Sequence, residues 1–211
     1  MTRTPARDTG AEVDRAAGDA LSDRVVGWTL IIGGLVGALA AFVLTVEKIA
    51  LLRNPAYTPS CSINPILSCG SVMTTGQAEV FGFPNPLIGL VTFPVVAATG
   101  AAVLAGARLP RWWWLTLQAG TVFGVGFVHW LFFQSLYRIG ALCPYCMVVW
   151  VAMIVLFTYT TLHTLDRGHL PAPHRLADAL VRVHSALPIT WLLVLAALIG
   201  VRFWDYWRTL L

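Results

Sequence analysis

Charged residues are scarce in this chain of 211 residues, since Asp, Glu, Lys and Arg together make up 11% of it. A soluble domain carries about 25% charged residues, so the composition excludes an ordinary soluble protein and favours an integral membrane protein. Hydrophobic residues make up 57% of the sequence, and the mean hydropathy is +0.73. The sequence also lacks a basic stripe typical of nucleic-acid binding, and it contains no haem-ligand, flavin or iron–sulfur motif.

Long uncharged apolar runs dominate the chain, and a helix needs about 20 mostly apolar residues to cross a bilayer. Five runs predict membrane spans at residues 25–47, 86–107, 112–137, 143–165 and 187–207. The fifth is long enough only when the aromatic-rich segment 203–207 forms its end at the membrane interface. We therefore predict an all-α membrane protein with a single integral membrane domain over residues 23–211, an outer loop at 48–85 and a cytoplasmic loop at 166–186.

The segment before the first span differs from it in composition. Residues 1–22 are charged, rich in Ala and Gly and free of aromatic side chains, which is typical of a disordered segment. The segment is too long and too acidic for the n-region of a signal peptide, and the apolar run that follows is too long for an h-region. We predict that residues 1–22 form a disordered cytoplasmic tail.

The distribution of basic residues predicts the orientation, because loops rich in Lys and Arg stay in the cytoplasm. With five spans, nine basic residues fall on the side of the N-terminal tail and five on the other side. This predicts a multi-pass protein of the inner (plasma) membrane with a cytoplasmic N-terminus and an outer C-terminus. All four cysteines then lie on the outer side of the membrane, where disulfides persist.

The four cysteines form two pairs with different surroundings. Cys61 and Cys69 lie in a loop with Pro and Gly, and Cys143 and Cys146 lie at the start of the fourth span. Pro144 favours the first position of that helix, so Cys143 is the predicted N-cap and Cys146 lies in the first turn. The free N–H groups and the helix dipole at such an end lower the pKa of a thiol.

Sequence spacing leaves three interpretations of the cysteines and three possible disulfide connectivities. A zinc site is disfavoured, because seven residues separate Cys61 from Cys69 where about two to four are usual. Two static structural disulfides form the second interpretation. The third is a redox relay, which the C-x-x-C spacing favours, and its acceptor would be a lipid-soluble quinone in an apolar pocket with a few polar groups.

Three segments together resemble the vitamin K epoxide reductase family, most of all its bacterial five-span members: CSINPILSCGSVMTT, FGFPNPLIGL and GALCPYCMVVW. The resemblance covers roughly residues 25–165 and implies a four-helix bundle around a quinone site, plus a fifth helix and a short cap helix in the outer loop. It implies that Cys61 and Cys69 receive electrons from a thioredoxin-like partner. Cys69 would then bridge transiently to Cys143, and Cys146 would face the quinone.

The resemblance also implies the function. The protein would oxidise a separate thioredoxin-like or DsbA-like exported partner, because the chain ends at Leu211 without a fused thioredoxin-like domain. Electrons would pass to a membrane quinone of the menaquinone or ubiquinone type, and this would promote disulfide formation in exported proteins. Reduction of a quinone epoxide is an alternative main activity. A scaffold with static Cys61–Cys69 and Cys143–Cys146 disulfides is an alternative of another class.

Four further residues are candidates for contact with the quinone. Asn85 matches a family residue that binds a quinone carbonyl, although Asn85-Pro86 also reads as an N-cap followed by the first helical residue. Trp150 lies one turn beyond Cys146, where the family has an aromatic residue, and it could equally serve packing. Thr75 matches a small hydroxyl residue, or it satisfies loop backbone groups. Met73 would cover the quinone from the cap.

Three ionisable residues near the predicted spans each have two possible roles. His129 lies in the outer half of the third span, where an ionisable group marks function by default, but we favour a structural hydrogen bond to a neighbouring backbone carbonyl. Glu47 and Lys48 mark the outer end of the first span. They either contact the cap or anchor the helix at the membrane interface.

Overall fold

The computed structural model describes residues 9–171 and 173–209. Its helices are α1 (Thr9–Arg53), α2 (Cys69–Met73), α3 (Pro86–Leu104), α4 (Arg111–Gln134), α5 (Pro144–Asp166), α6 (His174–Arg182), α7 (Ala186–Arg202) and α8 (Trp204–Trp207). A 3₁₀ turn covers Gly76–Glu79, and a π-helical turn covers Ser135–Ile139 at the end of α4. Within the described ranges the chain forms no named strand, which confirms the predicted all-α class.

Among the described residues, four helical segments are long and apolar enough to cross a membrane. They are Asp23–Arg53, Pro86–Leu104, Arg111–Ile139 and Pro144–Asp166. α7 is apolar but has 17 residues, about 26 Å at 1.5 Å per residue, which is short of a bilayer core of about 30 Å. The helix ends at Arg202 and the chain continues into α8, so a fifth crossing stays a prediction.

Two predicted loops contain more helix than expected. α1 continues to Arg53, so the predicted outer loop at 48–85 begins about a turn and a half later than its first residue. The predicted cytoplasmic loop at 166–186 contains α6. The first residues of the predicted disordered tail, 1–8, lie outside the described part of the chain. From Thr9 the structure is helical, which suits a segment with four Ala at residues 9–22, because Ala has the highest helix propensity.

The bundle alternates in direction, so that the end of α1 and the starts of α3 and α5 meet at one end, which we call the cysteine end. At the opposite end, Asp23 of α1 accepts a hydrogen bond of 2.7 Å from Arg167, which follows α5. α1 packs against both α3 and α5, and α4 packs against α5. The core is formed by large apolar side chains such as Leu30, Ile154 and Leu156, which are buried completely.

Small residues allow α1 and α3 to approach closely. A Cβ atom on Gly100 of α3 would lie 2.6 Å from the backbone oxygen of Gly27 and 2.8 Å from the backbone nitrogen of Ile31. Since the obstructing atoms belong to the backbone of α1, no side-chain movement could make room for it. Close packing through small residues is a common way to join helices in a membrane.

Two hydrogen bonds, made by Trp191 and Arg202, join α7 to α4 and to the π-helical turn that follows it. Trp191 Nε1 donates to His129 Nε2 over 2.8 Å, and His129 Nδ1 bonds the backbone oxygen of Val125 over 2.7 Å. Near the cysteine end, Arg202 Nε donates to the backbone oxygen of Leu136 over 3.0 Å. His129 therefore has the expected bond to a neighbouring carbonyl, and its other ring nitrogen holds α7 in place.

Candidate redox site

A short backbone bridge positions the loop cysteines beside the start of α5. Leu142 N donates to Ile66 O over 2.7 Å, and Ser68 N donates to Leu142 O over 2.9 Å. Gly140 precedes this bridge with a φ of 72°, a left-handed conformation that glycine adopts without a steric penalty. The chain can therefore turn sharply after α4 and bring residues 66–68 alongside Leu142.

α2 begins immediately after this bridge and carries one loop cysteine. Ser68 is its N-cap in an extended conformation, and the Ser68 hydroxyl accepts a hydrogen bond of 3.2 Å from Ser71 N, which stabilises the first turn. Cys69 is the first residue of α2 and forms a disulfide with Cys61 at a Cα–Cα distance of 5.5 Å. Both cysteines are buried, and Cys69 has no exposed surface.

Cys143 and Cys146 occupy the positions that the sequence predicted. Cys143 has the extended backbone of an N-cap residue, and Pro144 is the first residue of α5, so Cys146 lies in the first turn. Both cysteines are free thiols. Of the two disulfides that the scaffold alternative predicts, the structure therefore contains only Cys61–Cys69.

The two cysteine pairs meet at a single sulfur contact. Cys69 Sγ lies 3.1 Å from Cys143 Sγ, and the contact is buried. Cys143 is 1% exposed and precedes the spanning helix. A hydrogen bond from the Cys146 thiol, together with the backbone N–H groups of Cys146 and Tyr145, lowers the pKa of Cys143 despite its burial. A thiol of low pKa leaves faster in disulfide exchange, and Cys69, the sulfur with which Cys143 would exchange, is in contact with it.

Three grouped cysteine sulfurs, those of Cys61, Cys69 and Cys143, are poor ligands for a metal ion in this redox form. The Sγ atoms of Cys61, Cys69 and Cys143 all lie within 4.8 Å of one another. Zinc binds deprotonated thiolates, whereas Cys61 and Cys69 are bonded to each other. The close grouping of the sulfurs is instead the arrangement that disulfide exchange requires.

A cavity of about 510 Å³ lies among α1, α3, α4 and α5 below α2. Ligand pockets commonly enclose about 300–1,000 Å³, so the space is sufficient for an organic ligand. Cys146 and Trp150 both line the cavity, whereas Cys143 faces the loop disulfide. Trp150 is buried and packs edge-on against Phe132 with a ring-centroid distance of 5.2 Å. The free thiol pair therefore connects the disulfide on one side to the cavity on the other.

Asn85 lines the cavity but does not cap α3 with its side chain. Its backbone is already helical, with φ −53° and ψ −34°, and among the described residues its amide makes no capping bond. Instead, Asn85 Nδ2 donates to Gln77 O over 2.7 Å, and Asn85 Oδ1 accepts from Val80 N over 3.3 Å. Asn85 therefore occupies the predicted N-cap position, but the expected side-chain capping bond is absent, because an N-cap side chain reaches the helix N–H groups from an extended backbone. Pro86 does begin the helix as predicted.

Met73 and Thr75 of the cap region have different positions relative to the cavity. Met73 is buried and lines it. The described residues that line the cavity do not include Thr75, whose hydroxyl donates to Val72 O over 2.7 Å. This bond is the backbone-satisfying role that the sequence left open for Thr75.

Glu47 and Lys48 hold both parts of the loop that surround the disulfide. Lys48 Nζ donates to Met73 O over 2.7 Å and pairs with Glu79 Oε1 at 2.8 Å. Glu47 Oε1 accepts from the hydroxyl of Ser60 over 2.5 Å and from its backbone N–H over 3.3 Å. Both residues are buried, so they contact the cap region rather than anchor α1 at a membrane interface. Of the two roles that the sequence left open, the structure shows contact with the cap. Lys48 is the only lysine in the chain.

These features define an all-helical membrane protein in which a buried thiol–disulfide site adjoins an apolar cavity within the bundle. The model of the vitamin K epoxide reductase family matches residues 28–161, and the chain belongs to this family. Members of the family are oxidoreductases that use quinones as substrates and have no metal cofactor. No curated protein matches the chain.

Proposed function

We propose that this protein oxidises a separate thioredoxin-like exported protein and passes the electrons through its two cysteine pairs to a membrane quinone. The observation that carries the proposal is the contact of 3.1 Å between Cys69 Sγ and Cys143 Sγ, together with the position of Cys146 on the cavity. Cys143 contacts the loop disulfide and Cys146 lines the cavity, so the two pairs connect the loop to the cavity.

The first exchange occurs at the loop pair. A thiolate of the partner attacks Cys61 of the Cys61–Cys69 disulfide, which forms a mixed disulfide and releases Cys69 as a thiolate. The second partner thiol then displaces Cys61, so the partner leaves as a disulfide and both loop cysteines are reduced. Cys61 is the more exposed of the two, at 5% against 0%, and Cys69 is directed towards Cys143.

The second exchange carries the electrons into the bundle. The Cys69 thiolate attacks Cys143 of an oxidised Cys143–Cys146 pair, which forms a Cys69–Cys143 bond and releases Cys146. Cys61 then attacks Cys69, restores the loop disulfide and leaves Cys143 and Cys146 reduced. The structure has this combination of one loop disulfide and two free thiols.

The final step takes place in the cavity. The reduced Cys143–Cys146 pair becomes a disulfide, and its two electrons reduce the quinone to a hydroquinone that also gains two protons. The shape of the cavity supports a quinone with a long apolar tail, because the lining extends from Trp112 along α4 to Ile139 in the π-helical turn that follows it. Asn85 and Trp150 would border the quinone ring near Cys146, and Met73 would cover it.

The proposed orientation places the cysteine end on the outer side of the plasma membrane and the N-terminal segment in the cytoplasm. It is supported by the nine basic residues predicted on one side against five on the other. Thiol-containing proteins exported across that membrane would then be in the same compartment as the loop disulfide, where disulfides persist.

A coupled assay tests the proposed function. Protein in lipid nanodiscs is supplied with a reduced thioredoxin-like protein and ubiquinone or menaquinone, and quinone absorbance is followed together with the partner's thiol content. We expect one quinone to be reduced for each partner disulfide formed, and Cys69→Ala or Cys146→Ala to abolish the coupling. Partner oxidation that continues in both variants would contradict the relay. Reduction of a quinone epoxide at a higher rate than that of a quinone would favour the alternative activity.

A further inference from the structure

Lys48 supplies the positive charge nearest to the cavity. Among the described residues that line the cavity, Lys48 and Cys146 are the two with ionisable side chains, and Lys48 is the one cation. We propose that the Lys48 ammonium donates a proton to the quinone during its reduction and regains that proton from water through Glu79. This inference rests on the proposed function, since it concerns the chemistry of the same cavity.

The Lys48 ammonium uses two of its three N–H groups in bonds to the protein. Its side chain is 9% exposed, and Nζ is held by Met73 O at 2.7 Å and by Glu79 Oε1 at 2.8 Å. An ammonium group has three donors, so the two bonds account for two of them. Because Lys48 also lines the cavity, we infer that the third N–H is the donor to a ligand oxygen there.

Glu79 provides the connection to water. Its side chain is 40% exposed while its carboxylate is in contact with the buried ammonium. Glu79 ends the 3₁₀ turn that follows the cap, at the cysteine end of the bundle. The pair therefore extends from solvent to the cavity through two adjacent ionisable groups, whereas other polar side chains that line this end of the cavity, such as Gln77, Asn85 and Ser135, are uncharged.

The reaction requires such a donor because the thiol pair holds one proton fewer than the hydroquinone needs when one of its sulfurs is a thiolate. One thiol, one thiolate, the quinone and the Lys48 ammonium react to give a disulfide, a hydroquinone and a neutral Lys48 amine. Two electrons pass from the sulfurs to the quinone, one proton comes from the thiol and one comes from Lys48. A proton from bulk solvent, equivalent to the one released when the thiolate formed, then returns to the amine through Glu79, so that charge and hydrogen atoms balance.

Other ionisable groups around Lys48 have separate contacts. Glu47 precedes it in α1, but the Glu47 carboxylate accepts hydrogen bonds from Ser60. Cys146 belongs to α5 and lines the same cavity. The contacts of Lys48 with α2 are made through the backbone oxygen of Met73. The ion pair with Glu79 is therefore the contact through which a proton would reach Lys48.

Arginine at position 48 separates proton donation from the structural role of the lysine. An arginine keeps the positive charge and can bond Met73 O and Glu79, but it does not lose a proton in proteins. We expect Lys48→Arg to slow quinone reduction by roughly 10²-fold, the usual contribution of a general acid, with the KM for quinone changed by less than about twofold. Glu79→Gln should slow proton return and so lower the steady-state rate more than the rate of the first turnover.

The experiment uses the full chain in nanodiscs, reduced with dithiothreitol, freed of excess reductant and mixed rapidly with decylubiquinone at several pH values in H₂O and D₂O. The wild type should show a solvent isotope effect that Lys48→Arg changes, and the rate in Lys48→Arg should fall steeply as pH rises because hydronium must replace the lysine. Arg53→Met removes an exposed charge near the same end of α1 and should behave as wild type.

One further measurement keeps the outcomes distinct. Exchange between the Cys61–Cys69 disulfide and a reduced thioredoxin-like protein should be unchanged in Lys48→Arg, which shows that the cap is intact. A Lys48→Arg protein that reduces decylubiquinone at the wild-type rate, with the wild-type pH profile and isotope effect, would overturn the inference while leaving the proposed function standing. A wild-type protein that reduces no quinone would overturn both.

Discussion

Cys69 and Cys143 are 74 residues apart in sequence, yet their Sγ atoms lie 3.1 Å from each other in a buried contact. The bridge between residues 66–68 and Leu142 produces this contact by joining the loop to the chain just before α5. Cys69 is also bonded to Cys61, and Cys143 lies in the same C-x-x-C motif as Cys146, which lines the cavity. This contact is therefore the point at which the two cysteine pairs meet.

The contact predicts that Cys69 and Cys143 will form a disulfide when their normal partners are removed. In the Cys61→Ser, Cys146→Ser double variant the two remaining sulfurs face each other, and mild oxidation should link them in nearly every molecule. Mass spectrometry of peptides under non-reducing conditions measures the link. The matched variant Cys61→Ser, Cys143→Ser retains Cys69 and Cys146 and should link far less. Equal linkage in the two variants would contradict the geometry.

The pKa of Cys143 should depend on the Cys146 thiol. The hydrogen bond from Cys146 stabilises the Cys143 thiolate and lowers its pKa, so the thiolate persists to lower pH than it would alone. Cys146→Ala removes the donor and should move loss of the thiolate ultraviolet absorbance to higher pH. Cys146→Ser keeps a hydroxyl donor and should shift it less. A titration that is the same in wild type and Cys146→Ala would mean that the bond has no such effect.

Asn85 should control the affinity for quinone through the cap. Its amide holds Gln77 O at 2.7 Å and Val80 N at 3.3 Å while it borders the cavity. Asn85→Ala removes these bonds, of which one is partly buried and one is exposed. A typical hydrogen bond contributes about 0.5–1.5 kcal/mol, so the KM for quinone should rise by roughly two- to tenfold. The rate of exchange at the Cys61–Cys69 disulfide serves as the control and should change little. An unchanged KM would show that the cap is held by other contacts.

Gly100 should be essential for the packing of α1 on α3. Its missing Cβ would meet backbone atoms of Gly27 and Ile31, so Gly100→Ala should lower the free energy of unfolding by about 1–3 kcal/mol through overpacking. Gly126→Ala is the matched control, because a Cβ there meets no atom of the described residues within 4 Å. Thermal unfolding in detergent measures both. A Gly100→Ala protein as stable as Gly126→Ala would mean that the two helices can separate without cost.

Local sequence rules predicted the parts of this fold that depend on one segment. Uncharged apolar runs gave the four long helices, and Pro86 and Pro144 marked the starts of α3 and α5. The same rules misassigned the Asn85 side chain, because a capping preference says nothing of the competing amide contacts with Gln77 and Val80. The family resemblance, and not the spacing, supplied the expected contact between Cys69 and Cys143.

The contacts between distant segments were not predictable from periodicity or spacing. Nothing in the sequence pairs Leu67 with Leu142, or Trp191 with His129, because each contact depends on how separate helices pack. Lys48 was the exception for which a signal existed. A single lysine in a chain with few charges, placed at the end of a span beside Glu47, indicates a charge with a specific partner.

The central claim is that electrons leave the protein from Cys146 into a quinone bound in the cavity. Protein reduced beforehand and freed of excess reductant can be mixed with quinone in the absence of oxygen while quinone absorbance and the disulfides formed are recorded. We predict that quinone is reduced and a Cys143–Cys146 disulfide forms in the wild type and in Cys69→Ala, and that Cys146→Ala reduces no quinone. Undiminished quinone reduction in Cys146→Ala, or none in the wild type, would contradict the claim.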